Sequence, residues 1–158
     1  IIANLPSFIK LSSQNQISHF NTLDKLLLTG AIKSASTCIT NWTVNSDLDL
    51  QSVSLVSGVQ QISASKLTVV YLYLKANILA IGSEYTFCMR CGPLLSFISV
   101  FTNSPPSHGT FEVSPNVGME ASTDYLLAAI GWQDVDVPLQ YSFGFISGVD
   151  NFNLNLQE

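Results

Sequence analysis

Leu79-Ala80-Ile81-Gly82-Ser83-Glu84-Tyr85 has the Leu-x-x-Gly-x-x-Tyr spacing that turns a chain at the end of a β-sheet. In such a tyrosine corner the phenol hydroxyl folds back onto a backbone group a few residues upstream. Gly82 permits the tight turn, and Leu79 plugs the end of the core. Tyr85 then opens a strand, and alternation puts Tyr85, Phe87, Met89 and Cys91 on one face.

Short runs rich in Val, Ile, Leu, Thr, Tyr and Phe recur on both sides of the corner, separated by Gly, Pro, Asn, Asp and Ser. They predict strands over residues 7–11, 25–29, 37–44, 48–55, 66–74, 84–91 and 94–102. A short helix within residues 17–28 is the competing element. About seven strands in roughly a hundred residues is the size of an immunoglobulin-like or fibronectin-type-III-like β-sandwich. Trp42 is then the inward tryptophan of the third strand, on one face with Thr40 and Cys38.

Asn103-Ser104-Pro105-Pro106 interrupts the pattern, because two adjacent prolines donate no ladder bonds and favour extended chain. The expected organisation is a sandwich over 1–102, a linker over 103–107, and the start of a second sandwich over 108–158. Its strands are expected at 109–114, 123–130, 138–146 and 151–157. The apolar run at Leu126-Leu127 and the aromatic strand at Tyr141 and Phe143 echo Leu26-Leu27-Leu28 and Trp42. Strands missing from this second unit are expected from chain outside the sequence.

Hydrophobic residues make up 47% of the 158 and charged residues only 11%, with Ser, Thr, Asn and Gln keeping the surface wet. A net charge of −5 and a pI near 4.7, with six scattered basic residues, argue against a nucleic-acid or anionic-membrane surface. The strongest apolar run, 67–74 between Lys66 and Lys75, is far short of the roughly 20 residues that span a bilayer, and reads as a buried strand. The sequence opens on Ile1-Ile2 and stops in mid-pattern at Glu158, so it reads as a piece of a longer protein. Any signal peptide or membrane anchor is expected outside it.

Cys88-Met89-Arg90-Cys91 has CxxC spacing, but it sits in a strand and not at the start of a helix. With Cys38, and with only His19 and His108 as further candidate ligands, it makes a poor zinc site. A structural disulfide in an oxidising compartment is the reading adopted. If Trp42 lies opposite Phe87 on antiparallel neighbours, the register carries Cys38 to Cys91; Cys38–Cys88 is the competing pair. Asn41-Trp42-Thr43 is an N-glycosylation sequon, and Asn41 faces outward if Trp42 faces inward. Asp134 and Asp136, with Asp124 and Asp150, are candidate calcium ligands, and Asp47 and Asp49 are weaker ones. The competing reading is a local turn held by the Asp134 side chain. No nucleophile elbow, phosphate loop or metalloprotease motif is present, so neither catalysis nor a cofactor is expected.

The segment from Pro105-Pro106 through Gly109, Ser114-Pro115, Gly118, Gly131-Trp132, Asp134 and Pro138-Leu139 to Tyr141 and Phe143 resembles the receptor-for-egg-jelly module of polycystin-type cell-surface proteins. His108 stands where that pattern usually has a second glycine. The resemblance implies a large ectodomain of tandem fibronectin-like units on a cell or ciliary surface. It also implies that Trp132 and Tyr141 are structural. Its partners would be surface proteins or glycans and further modules of the same chain, with the membrane reached only through other segments. A calcium-dependent adhesion module and a carbohydrate-binding β-domain using Trp132 beside Asp134 are the alternatives.

Overall fold

The structure is a computed structural model that describes residues 6–13 and 19–144. The chain divides into two compact units, Ile1–Asn103 and Ser104–Glu158.

The first unit is a β-sandwich. Strands β1 (Phe8–Ser13), β2 (Leu26–Lys33) and β5 (Leu67–Leu74) form one antiparallel sheet in the order β1-β2-β5. Strands β3 (Cys38–Val44), β4 (Gln61–Ile62), β6 (Glu84–Cys91) and β7 (Leu94–Phe101) form the other, in the order β4-β3-β6-β7. The short fourth strand pairs with β3, whereas an immunoglobulin constant domain places its fourth strand on the opposite sheet. The three-plus-four arrangement is therefore of the fibronectin type.

Each sheet turns one side chain in two toward the core. On β2, Leu26, Leu28 and Ile32 are buried; on β5, Val70, Leu72 and Leu74; on β6, Phe87, Met89 and Cys91. Gly30 lies on the same inner face of β2, where a Cβ would stand 2.5 Å from the Met89 sulfur. Its missing side chain thus lets the opposite sheet's thioether fill the gap. Phe87 is fully buried, and truncating such a ring costs about 3–5 kcal/mol.

Two expectations about this unit are corrected, and the competing helix is not found. Residues 48–55 form no strand: α1 (Leu50–Val53) is a single helical turn, with the Asp49 carboxylate accepting from Gln51 N–H at 3.0 Å. An aspartate at an N-cap satisfies the first free amides of a helix, and here that local bond overrides the Leu-Asp-Leu alternation. Trp42 stands opposite Met89, not Phe87, and Thr40 opposite Cys91, so the register is two residues from the one expected. A shift of two preserves which face each side chain occupies, so the inward set is unchanged. No helix forms over the described part of 17–28; Phe20 bridges Thr102 and β2 begins at Leu26.

In the second unit, β8 (Thr110–Ser114) and β9 (Leu126–Ile130) form an antiparallel pair. The expected strand at 123–130 starts only at Leu126, because Thr123 is tied into a turn: its N–H donates to the Met119 carbonyl at 3.1 Å and its hydroxyl accepts from Met119 N–H at 2.8 Å. Residues 138–144 form no strand; Pro138 opens that stretch without a backbone donor. The remainder of the expected 138–146 strand, the 151–157 strand and Asp150 lie outside the described residues.

Candidate functional site

The corner is built as its spacing requires. Gly82 has φ +60°, Leu79 is buried, and the Tyr85 hydroxyl accepts from Ala80 N–H at 2.9 Å. Thr102, buried at the end of β7, closes the same corner from the other side. Its hydroxyl donates to the Ala80 carbonyl at 2.7 Å and accepts from Ser83 N–H at 2.8 Å. Thr40 plays a matching part on β3, with its fully buried hydroxyl donating to the Gly58 carbonyl at 3.0 Å and accepting from Gln60 N–H at 2.8 Å. Sequence places Thr40 on the inward face without assigning it a bond, and does not mark Thr102. The one signal was position: each falls on an inward step of an alternating strand, where a polar residue must find a partner.

Cys38 and Cys91 are joined, with Cα atoms 5.4 Å apart and a sequence separation of 53. Because Thr40 is the direct partner of Cys91, the bridge runs diagonally between adjacent strands β3 and β6 of one sheet. Cys88 is a free, half-buried thiol. Its place on β6 between Thr43 and Phe97 puts it on the sheet's outer face, away from Cys91. The extended backbone thus separates the two ends of the CxxC, which cannot act as one dithiol.

Asn41 is exposed on the same outer face, opposite Arg90. Beside it an open depression of about 670 Å³ lies between β3 and the 48–59 segment. The indole N–H of Trp42, which lines it, is buried without a protein partner among the described residues. The outer face also carries exposed Ile39, Leu95, Phe97 and Phe101. Among the described residues no group of three His, Cys, Asp and Glu side chains is arranged to hold a metal, and no helix is long and apolar enough to cross a membrane.

In the second unit the Asp134 carboxylate accepts from Asp136 N–H at 3.0 Å, the local side-chain turn. Trp132 lies flat against Gly109, whose α-carbon leaves no room for a side chain beneath the indole. Ser107 and Gln133 exchange backbone bonds of 2.9 Å next to that contact, and Phe111 stacks on Phe143 at 5.9 Å. Gly118 packs against Thr123 and Tyr125 in the same way that Gly109 packs on Trp132. Tyr141 is exposed. Of the residues that carry the resemblance, Gly109 and Trp132 are therefore paired in space, and the REJ domain model matches residues 4–155.

The chain belongs to the REJ domain family. The match reaches back through the first sandwich, well beyond the 103–145 segment whose motifs carry the resemblance. No significant match was found among curated proteins or among solved structures. Within this REJ domain the departure at His108 has a local geometry: its φ is +63°, the left-handed region that glycine adopts freely. Histidine is one of the few other residues found there with some frequency, and its Nδ1 lies 2.8 Å from the Ser107 hydroxyl.

Proposed function

We propose that this REJ domain is a non-catalytic spacer and contact unit on the extracellular face of a polycystin-type surface protein. The observation that carries this reading is the family match over 4–155, which takes in the disulfide-bonded sandwich whole. A buried Cys38–Cys91 bridge suits an oxidising compartment. The Asn41 sequon, exposed mid-strand, suits glycan attachment on the outer face of the four-stranded sheet. Contact with surface proteins, glycans or neighbouring modules would fall to that outer face and to the loops, since a sandwich offers sheet faces and loop ends for binding.

The test is to place an epitope tag in the exposed turn at Val117 of the full-length protein and stain intact cells. Labelling without permeabilisation, together with a mass loss on N-glycan removal that Asn41→Gln reduces by one glycan, supports the reading. A tag reached only after permeabilisation would overturn it.

A further inference from the structure

β5 is the end strand of its sheet, bonded to β2 on one side only. Which of its residues face the free side follows from the bonds at its C-terminal end. The Tyr73 carbonyl accepts from Leu55 N–H at 2.6 Å, and Lys75 N–H donates to the Val53 carbonyl at 3.2 Å. Backbone groups of alternate residues point the same way, so Tyr71, Val69 and Leu67 also face outward from the sheet edge. Among the described residues nothing accepts from or donates to them there. The N-terminal end is closed by a turn, with Ser65 at φ +62° and its N–H held by the Ser34 carbonyl at 2.7 Å. The open window is therefore Leu67 to Tyr71, with Val69 at its centre.

The other sheet guards its ends. β4 is only two residues long, and β7 is met by Phe20, whose N–H donates to the Phe101 carbonyl at 2.6 Å. β5 is met only at its C-terminal end, by Val53 and Leu55, and Leu67–Leu74 contains no charge, glycine or proline to guard the rest of the edge. Over the same window the outer-face side chains are apolar and exposed, Leu67 by 58%, Val69 by 41% and Tyr71 by 49%.

We propose that β5 pairs antiparallel with β5 of a second copy about a two-fold axis through Val69. That register sets Val69 opposite Val69 and Leu67 opposite Tyr71, with each of these residues exchanging both free backbone bonds. It is the symmetric register that fits the window. Centring the pair on Val70 or Tyr71 collides with Leu55 at Tyr73, and centring it on Leu67 or Thr68 sets Val69 or Tyr71 opposite Ser65, whose left-handed backbone does not continue a ladder. It also sets Lys66 opposite Leu72, so no like charges meet. The exposed Leu67, Val69 and Tyr71 of both copies then close into one apolar cluster across the joint. The pairing depends on β5 alone, not on where the protein resides.

Sedimentation velocity on the 158-residue chain tests it, with Val69→Lys and with Val69→Cys in a Cys88→Ser background. A concentration-dependent dimer is expected. Val69→Lys, which sets two ammonium groups face to face on the axis, abolishes it while leaving the melting temperature of the sandwich unchanged. Val69→Cys forms a covalent dimer with a short bis-maleimide, and Ser99→Cys on the opposite sheet does not. A chain monomeric at every concentration, or a dimer that survives Val69→Lys and is not linked through position 69, would overturn the proposal.

Discussion

The backbone N–H of Ala80 donates to the Tyr85 hydroxyl across 2.9 Å, so the side chain that opens β6 also ties down the turn that precedes it. The bond links a five-residue reversal to β6, one of the two inner strands of the four-stranded sheet. Tyr85→Phe removes the acceptor and little else. It is expected to lower unfolding free energy by about 1–1.5 kcal/mol in urea titration, with an unchanged m-value. A change below about 0.3 kcal/mol would mean that Thr102, not Tyr85, carries the corner.

The Cys38–Cys91 bridge closes a 53-residue separation between neighbouring strands. Replacing both cysteines with alanine is expected to cost about 2–4 kcal/mol, measured by chemical denaturation. Replacing Cys88 with serine, on the outer face, is expected to change stability by no more than about 0.5 kcal/mol.

His108 holds a left-handed backbone at φ +63°. Histidine→glycine at this position relieves that conformation and loses one exposed contact with Ser107. A gain of up to about 1 kcal/mol in the stability of the second unit is expected from the thermal melt of the 158-residue chain. A loss of similar size would mean that the Ser107–His108 contact outweighs the strain.

Asn103 belongs with the first sandwich: its N–H donates to the Phe20 carbonyl at 2.8 Å and its carbonyl accepts from Gly82 N–H at 3.2 Å. A chain ending at Asn103 is expected to melt cooperatively. The separate 104–158 segment is not, because β8 and β9 leave Phe111, Leu126 and Ile130 exposed on a two-stranded pair. Differential scanning calorimetry on the two pieces distinguishes them. Two independent cooperative transitions would contradict the expectation.

Much of this was legible in the chain because local and global signals agree. The bounds of β6 follow directly from Glu84-Tyr85 at one end and Cys91-Gly92 at the other, and the corner from three residues at fixed spacing. Alternation identified the inward faces of β3 and β6 even where the pairing register was two residues off, because faces repeat every second residue while partners do not. The failures lie where a short-range bond competes with pattern. Asp49 turned an apparent strand into a helical turn, Thr123 delayed β9, and the two-residue β4 is too short to leave any periodic trace. The open edge of β5 was invisible for a different reason. A run of apolar residues reads as a buried strand, and only the topology reveals that Leu67, Val69 and Tyr71 face outward at the end of a sheet.

The disulfide joins fold to compartment, and trypsin can isolate it because Arg90 falls between Cys88 and Cys91. Protein secreted from cells is alkylated without reduction, unfolded and digested. Cys38 then lies on peptide 34–66, Cys88 on 76–90, and Cys91 on the C-terminal peptide that begins there. The expected result is peptide 34–66 linked to the C-terminal peptide, with Cys88 alkylated. A link from Cys38 to Cys88 would contradict the sandwich register, and an alkylated Cys38 would contradict the oxidising compartment.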